Sequence, residues 1–384
     1  QNEQFVYTPN GGGNYDQKID SLSNEFKQTI IQNIPGTKIN YNSKKLKANI
    51  GAGFGFTNYE LQDLTFAKNY DREYINFFPS ANITYTYKPN HSLRINYNGS
   101  SRQPSINQLQ PLRNNDDYFY QVLGNPDLKP SFNNSIQASH NMYNFLKEFW
   151  SYQSMYISFT NNSIINNRII DLNSGKTISR PENVNGFYYI SFNSNFSFKL
   201  KKADMSLGFG PGIGISKSPA LINNEKNFSK SITPRLDVQL TKAKEKKYII
   251  VLQNNVGYSL NSTVTSSQTK IKTDFITNRL NGEVTLYMQK VWQFVTSLEN
   301  RYQGKTIESN NSLQTNILNA RLQRTFKNDE FTIYISGNDI LNQNQGISRS
   351  FYGGNYSEVI NDRLKRYFLL GFRWDFKNKS AKAK

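Results

Sequence analysis

The stretch RYFLLGFRWDF, residues 366–376, decides the fold. One set of alternate positions is apolar: Phe368, Leu370, Phe372, Trp374 and Phe376. The positions between them are mixed: Tyr367, Leu369, Gly371, Arg373 and Asp375. Because successive side chains of a β-strand point to opposite faces, the pattern predicts a strand with one apolar face. That face either packs on a soluble core or contacts lipid.

The same alternation recurs along the chain. It is clearest in segments 46–56, 188–198, 207–215, 236–240, 318–322 and 331–335. In each segment the positions between the apolar residues are mostly Asn, Ser, Gly, Gln or a charged residue. No stretch has an equally good helical period, so the sequence predicts an all-β protein.

The composition also favours strands with one apolar and one wet face. Hydrophobic residues make up 36% of the 384 residues, aromatic residues 14%, and the mean hydropathy is -0.67. A disordered chain would be poor in aromatic residues, and a large soluble protein would be richer in Leu, Val and Ala. The absence of cysteine excludes disulfides and thiolate metal sites. No apolar run approaches the roughly 20 residues of a spanning helix.

The first ten residues, QNEQFVYTPN, have neither a basic start nor an apolar segment. They therefore do not resemble a secretory signal peptide. If the protein is exported, we expect this chain to be a mature or a truncated form.

The net charge of +18 raises the question of a nucleic-acid partner. Many lysines lie in short connections, such as NSKK (42–45) and KAKEKK (242–247). They form no continuous basic helix and match no nucleic-acid-binding motif. We expect no nucleic-acid partner, but solvated turns whose lysines also lie near the lipid or lipopolysaccharide of a membrane.

Short turns alternate with longer connections. The predicted short turns are 42–45, 88–92, 144–148, 199–204, 242–247, 288–292 and 326–330, and the most prominent long connections are 100–132, 161–186 and 341–363. This sorting is typical of a transmembrane antiparallel up-and-down β-barrel, whose short turns are periplasmic. Aromatic residues near the short turns suit a headgroup girdle: Tyr85, Tyr87, Tyr97, Trp150, Trp292 and Trp374. We therefore expect a protein of the outer membrane of a Gram-negative bacterium.

Seven short turns join fourteen strands, and the terminal strand makes fifteen. Bacterial single-chain barrels normally have an even number. Either EQFVYTP (3–9) is a sixteenth strand, or the chain is part of a larger barrel. We predict a loop or strand stub at 1–28, barrel strands at 29–377 and a basic tail at 378–384.

Three stretches carry a family resemblance: GNPDLKPS (124–131) within segment 102–135, SGNDILNQNQG (336–346), and the terminal RYFLLGFRWDF. Together they resemble the TonB-dependent receptor superfamily, in its Bacteroidota-type outer-membrane barrels. Ser131 stands where the family usually has Glu. The terminal strand of that family is read by the barrel-assembly machinery, which implies an assembly signal at Phe372, Trp374 and Phe376. Here eight residues, 377–384, follow the last aromatic, whereas the family often stops there.

The resemblance implies a barrel of about 22 strands, of which this chain is the C-terminal portion. It also implies energised ligand uptake, with TonB acting through a plug domain that is not recognisable in these residues, and sometimes with a surface lipoprotein. The alternative is a non-transporting barrel that acts as a scaffold, secretion or assembly component among other subunits.

The segment NNDDYFYQ (114–121) combines carboxylates and aromatics on the longest predicted loop. Candidate ligand-binding residues there are Arg102, Arg113, Asp116, Asp117, Tyr118 and Tyr120. A hydrated loop that packs on its neighbours is an equally good interpretation. The histidines, His91 and His140, have no neighbouring residues at catalytic or metal-ligand spacing. We therefore expect no enzyme activity, no cofactor and no metal site.

Overall fold

The structure, a computed structural model, describes residues 2–4, 7–9, 14–18, 24–64, 67–109, 113–114, 119–171, 173–264, 269–307, 309–327, 330–352 and 355–376. Its elements are β1 (Asn2–Gln4), β2 (Tyr7–Pro9), β3 (Tyr15–Lys18), β4 (Asn24–Asn33), β5 (Gly36–Asn42), β6 (Leu46–Asp63), β7 (Lys68–Lys88), β8 (His91–Arg102), α1 (Ile106–Leu109), β9 (Arg113–Asn114), β10 (Tyr120–Leu123), β11 (Ser131–Asn144), β12 (Phe149–Asn161), β13 (Ser163–Ile170), β14 (Thr177–Val184), β15 (Phe187–Leu200), β16 (Met205–Ile222), β17 (Glu225–Lys244), β18 (Tyr248–Val264), β19 (Lys270–Met288), β20 (Trp292–Gln303), β21 (Leu313–Phe326), β22 (Phe331–Asn338), β23 (Ile347–Tyr352), β24 (Asn355–Ile360) and β25 (Tyr367–Trp374). Within these residues no helix is long and apolar enough to cross a membrane.

Antiparallel pairing joins the long strands into one wall. The series is β4 with β5, then β6, β7, β8, β11, β12, β15, β16, β17, β18, β19, β20, β21, β22 and β25. The strands β4 and β5 are two pieces of one span, because both pair with β6. They are separated at Ile34 and Pro35, and a proline has no N–H to donate to a ladder. The all-β, up-and-down prediction is confirmed, with fifteen spans in the described part of the chain.

The seven predicted short turns all lie at one end of the wall, here called the turn end. The opposite end, the loop end, carries the three long predicted connections. The prediction that loop-end connections are long fails between β6 and β7, which are joined by residues 64–67. It fails most clearly between β16 and β17, which are joined by Asn223 and Asn224 alone. Both asparagines have positive φ, 51° and 66°, as a two-residue hairpin turn requires. Here the strands themselves, of 18 and 20 residues, extend the hairpin.

The strand registers place the alternating residues on two faces. On β17, Leu236, Val238 and Leu240 lie beside Val256, Asn254 and Leu252 of β18 and belong to the apolar face. The intervening Arg235, Asp237 and Gln239 lie beside Gly257, Asn255 and Gln253 and belong to the polar face. On β25, Leu370 is 81% exposed and Phe372 is 62% exposed. A continuous, exposed apolar face of this kind is characteristic of a surface that contacts a membrane or another protein.

The aromatic girdle is only partly as predicted. Trp292 and Trp374 lie on the apolar face at the turn end, in register with other apolar-face residues. Trp150 pairs with Ser197 and so lies on the polar face, where its ring stacks on Tyr152 with centroids 6.2 Å apart. The girdle interpretation of Trp150 was therefore wrong, because β12 carries aromatic side chains on both faces and its phase is ambiguous in sequence.

The short strands that do not span the wall lie at the loop end. The segment EQFVYTP contributes to two separate strands, β1 and β2. Strand β1 runs antiparallel to the start of β4, and β2 pairs with β3 in a separate sheet. Hairpins β13–β14 and β23–β24 lie within two of the long connections.

Candidate functional site

A small hydrophobic core closes over the polar face at the loop end. Phe26, Tyr59 and Leu61 project from β4 and β6, and Leu109 and Leu128 from connection 103–130 cover them. We call these five buried residues the mouth cluster. Burial of these side chains stabilises an inward-folded position of the connection, because apolar area leaves water. The longest predicted loop thus packs on the wall.

The segment GNPDLKPS fastens this connection to β7. The Arg72 guanidinium donates to the Asp127 carboxylate at 2.8 Å. The next residue of the segment, Leu128, is also bonded to β7, because its carbonyl accepts from the Tyr74 hydroxyl at 3.2 Å. Leu128 is therefore held both by packing and through its backbone.

The same segment is fastened on its other side to hairpin β13–β14. The Asn125 side-chain amide donates to the Pro181 carbonyl at 2.9 Å. The Asn183 side chain accepts from the Lys129 N–H at 2.7 Å and donates to the Lys129 carbonyl at 2.9 Å. The GNPDLKPS segment is thus a structural bridge between two parts of the loop end.

The structure describes three of the predicted ligand-binding residues, Arg102, Arg113 and Tyr120. Arg102 ends β8 with an exposed side chain. Tyr120 begins β10, is exposed, and pairs in parallel with Thr177 of β14. Arg113 belongs to β9, of which the structure describes the backbone, and Asp116, Asp117 and Tyr118 lie outside the described residues. A role for this set in ligand binding stays a prediction.

Charged side chains cluster further along the polar face. Arg279 of β19 lies directly opposite Arg301 of β20. Like charges in this position repel each other. The Glu299 carboxylate lies between them and accepts from the Arg279 Nε at 2.6 Å and from the Arg301 Nε at 2.7 Å. On β17, Arg235 and Asp237 form a looser pair at 3.8 Å.

Two cavities lie against this face. The turn-end cavity, of about 670 Å³, has these polar-face residues in its lining: Trp150, Asn195, Asp237, Gln239, Gln253, Asn255, Arg279 and Asn281. The loop-end cavity, of about 390 Å³, lies between β19–β21 and the connection from β22 to β25. Both cavities are lined by Asn255 and Arg279, so they form one polar track along the wall.

The loop-end cavity has four arginines in its lining: Arg279, Arg301, Arg349 and Arg363. No motif in the sequence marks these arginines, because they come from separate strands and loops. Arg349 is largely buried, and its Nε donates to Glu358 at 2.7 Å. The hydrogen bonds from the Tyr356 hydroxyl and from Arg349 hold the pKa of Glu358 below its usual value.

Neither histidine lines the polar track. His140 is on the apolar face, where its ring stacks on Tyr87 and hydrogen-bonds the Tyr87 hydroxyl at 2.7 Å and Gln153 at 2.8 Å. His91 bonds the Pro89 carbonyl at 2.7 Å. Across the described ranges, no group of three or more His, Asp or Glu side chains could hold a metal ion.

A match to a protein family agrees with the alternating faces, the sorted turns and the exposed apolar residues of the structure. Residues 1–210 match the family described as outer membrane protein beta-barrel. The chain belongs to this outer membrane protein beta-barrel family. As a member of the family it is an outer-membrane protein of a Gram-negative bacterium. Its apolar face contacts lipid and its polar face lines the lumen.

No curated protein matches the sequence significantly. Among solved structures, this outer-membrane β-barrel protein is similar to OmpT (in-vitro folded), an outer membrane protein of Vibrio cholerae. The TM-score is 0.31 and the sequence identity 8%, over 93% of this chain and 98% of that chain.

The residues of the predicted assembly signal lie together at the turn end of this family member. Phe372 and Trp374 are on the lipid face of β25, beside Ile333 and Phe331 of β22. The Phe376 ring packs on Trp374 with centroids 4.1 Å apart. Their recognition by the barrel-assembly machinery stays a prediction.

Proposed function

We propose that this chain is the barrel wall of a TonB-dependent receptor that takes up an external ligand through the outer membrane. The observation that carries the proposal is the polar track, which extends from the loop-end connection toward the turn end along one continuous face. Its amides, hydroxyls and charged groups offer hydrogen bonds to a polar solute throughout. A lumen packed with apolar side chains would offer none.

The three family-like stretches support the TonB-dependent form of this proposal. In this proposal the bridge formed by GNPDLKPS holds the loop end in a fixed shape around the entrance. The contact with TonB would be made by a plug domain, and a surface lipoprotein is a further expected partner. The lipid face would be inserted by the barrel-assembly machinery through the terminal strand.

The experiment uses the native bacterium. A strain that lacks the gene is grown on a panel of single nutrient sources to find the solute whose uptake depends on this protein. We expect deletion of TonB to cause the same defect, and the double deletion to be no worse. An uptake defect that is unaffected by TonB would contradict the proposal. Stable partner subunits together with a defect unrelated to uptake would favour the scaffold function.

The track itself is tested by complementation with two tryptophan variants. Asn255→Trp places a large ring where the two cavities meet and is expected to abolish uptake. Val256→Trp, at the next residue, adds the same ring on the lipid face, and this variant is expected to restore uptake. Normal uptake through the Asn255→Trp protein would contradict passage along this face.

A further inference from the structure

The loop-end cavity has an unusual charge balance. Of its lining residues, four are arginines and none is acidic. Two carboxylates bond to the arginines from outside the lining: Glu299 to Arg279 and Arg301, and Glu358 to Arg349. In the described ranges Arg363 has no ion pair. The four guanidinium groups are therefore matched by two carboxylates.

The arginines of the wall keep free donors. A guanidinium has five N–H groups. Arg279 approaches Glu299 through its Nε, and Arg301 uses its Nε at 2.7 Å and an Nη at 3.0 Å. The side chains of Arg279 and Arg301 stay 55% and 53% exposed. The bridge by Glu299 thus fixes both guanidinium groups without using all of their hydrogen bonds.

The other two arginines enter from the opposite side. Arg349 is fixed by Glu358 and by a bond from its Nη1 to the Asn311 carbonyl at 2.7 Å. The stem of Arg363 passes close to Gly346, and Arg363 is also in the lining of the cavity. Wall and loop together surround the space with positive charge. Such an arrangement is costly unless an anion neutralises it, and planar guanidinium groups match carboxylate and phosphate geometry.

We infer that the loop-end cavity binds a small anionic ligand with two or more carboxylate or phosphate groups. The volume of about 390 Å³ suits a small molecule. The inference rests on the proposed function, since it names the chemical class of the solute that enters the track. Neutral amides and hydroxyls from Thr315, Asn344 and Ser348 are also in the lining.

The test is calorimetric binding to the purified protein in a zwitterionic detergent. The probes are citrate and inorganic pyrophosphate, with trehalose as an uncharged control and putrescine as a cationic one. We expect saturable binding of at least one anion, weakening as salt is raised because exposed charges are screened. No saturable binding of either anion, or equal binding of trehalose, would overturn the inference.

Three charge-removing variants locate the site. Arg363→Gln and Arg279→Gln should each weaken anion binding about tenfold or more, since each removes a charged donor. Arg235→Gln removes the same charge from the same face outside the cavity and should leave binding unchanged. Heat-dependent gel mobility checks that each variant is folded, and Arg363→Lys retests that position with the charge kept. Equal weakening by all three variants would mean a general charge effect and would overturn the site.

This experiment is separate from the test of uptake. Anion binding without TonB-dependent uptake would overturn the proposed function alone. TonB-dependent uptake of a solute in a protein that binds no anion would overturn only the present inference.

Discussion

Gly371 faces Tyr334 across the β22–β25 pair, and the tyrosine ring fills the space that a side chain on residue 371 would need. The same ring carries the Arg321 guanidinium 4.0 Å from its centroid. A single glycine thus permits a cross-strand contact that joins three strands of the lumen wall. Aromatic side chains that cover a glycine in this way stabilise strand pairs.

Gly371→Ala should therefore displace Tyr334 and destabilise the protein. We expect a loss of about 1–3 kcal/mol in the free energy of unfolding, as for other overpacked sites. Urea unfolding in detergent micelles measures it. Gly208→Ala is the matched control, because a Cβ there would meet its nearest atom, of Gln239, at an ordinary 3.4 Å. Equal effects of the two substitutions would show that the Tyr334 contact is not the cause.

Glu358 gives the loop-end hairpin β23–β24 a pH dependence. Its pKa is lowered by the hydrogen bonds from Tyr356 and Arg349, relative to the usual value of 4.5. A carboxyl whose pKa is lowered on folding stabilises the folded form above the usual pKa. That contribution is lost as the pH falls through the lowered pKa.

A spin label on Ser357→Cys tests this dependence, because the native chain has no cysteine. We expect an immobile label at neutral pH and a more mobile one once the pH is well below 4.5. In a protein that also carries Glu358→Gln, the label should be mobile at every pH. If the mobility of the label does not change with pH in the protein that keeps Glu358, the role of Glu358 is contradicted.

Among the elements, the bridge GNPDLKPS depends on the side chain of Asn183. This residue makes two hydrogen bonds to the backbone of Lys129 and a third, at 2.9 Å, to the Asn162 carbonyl. Asn183→Ala should release connection 103–130 while the wall stays intact. Because each bond contributes about 1 kcal/mol, we expect trypsin to cleave after Arg102 or Arg113 at least about fivefold faster. Asn166→Ala, at an exposed position of the same hairpin, should leave the cleavage rate unchanged.

The sequence predicted the spanning strands well, because an apolar side chain at every second position has one simple explanation. In β6, Phe54 and Phe56 alternate with Gly53 and Gly55, and the register with β7 confirms the two faces. The phase of β12 could not be determined in this way, since aromatic residues lie on both of its faces, Trp150 and Tyr152 on one and Phe149 and Phe159 on the other. Hairpins β13–β14 and β23–β24 were missed within long polar connections that have no clear period.

The candidate site was less predictable than the strands. A loop motif can be found in sequence, and GNPDLKPS was found, although its bridging contacts are structural. The arginine cavity could not be found, because Arg279 and Arg363 become neighbours only when β19 and the last long connection meet. Spatial clusters of this kind depend on which strands and loops become neighbours in the fold, and no local sequence motif marks them.

For the whole molecule, strand direction limits how the barrel closes. The span β4–β5 and the strand β25 both run from the loop end to the turn end. Antiparallel closure between them therefore needs an odd number of further strands. One further strand would give a sixteen-strand barrel and seven would give about 22 strands, as in known transporters. The strand β1, antiparallel to β4, occupies the position that such a strand would take.

The central claim is that one face of this wall contacts lipid and the other contacts water. Single cysteines at positions 235 to 240 of β17, each carrying a spin label in bilayers, test it most directly. The account predicts high collision rates with oxygen, which dissolves in lipid, at Leu236, Val238 and Leu240. It predicts high collision rates with a water-soluble nickel complex at Arg235, Asp237 and Gln239. Equal accessibility at all six positions, or the reverse alternation, would contradict it.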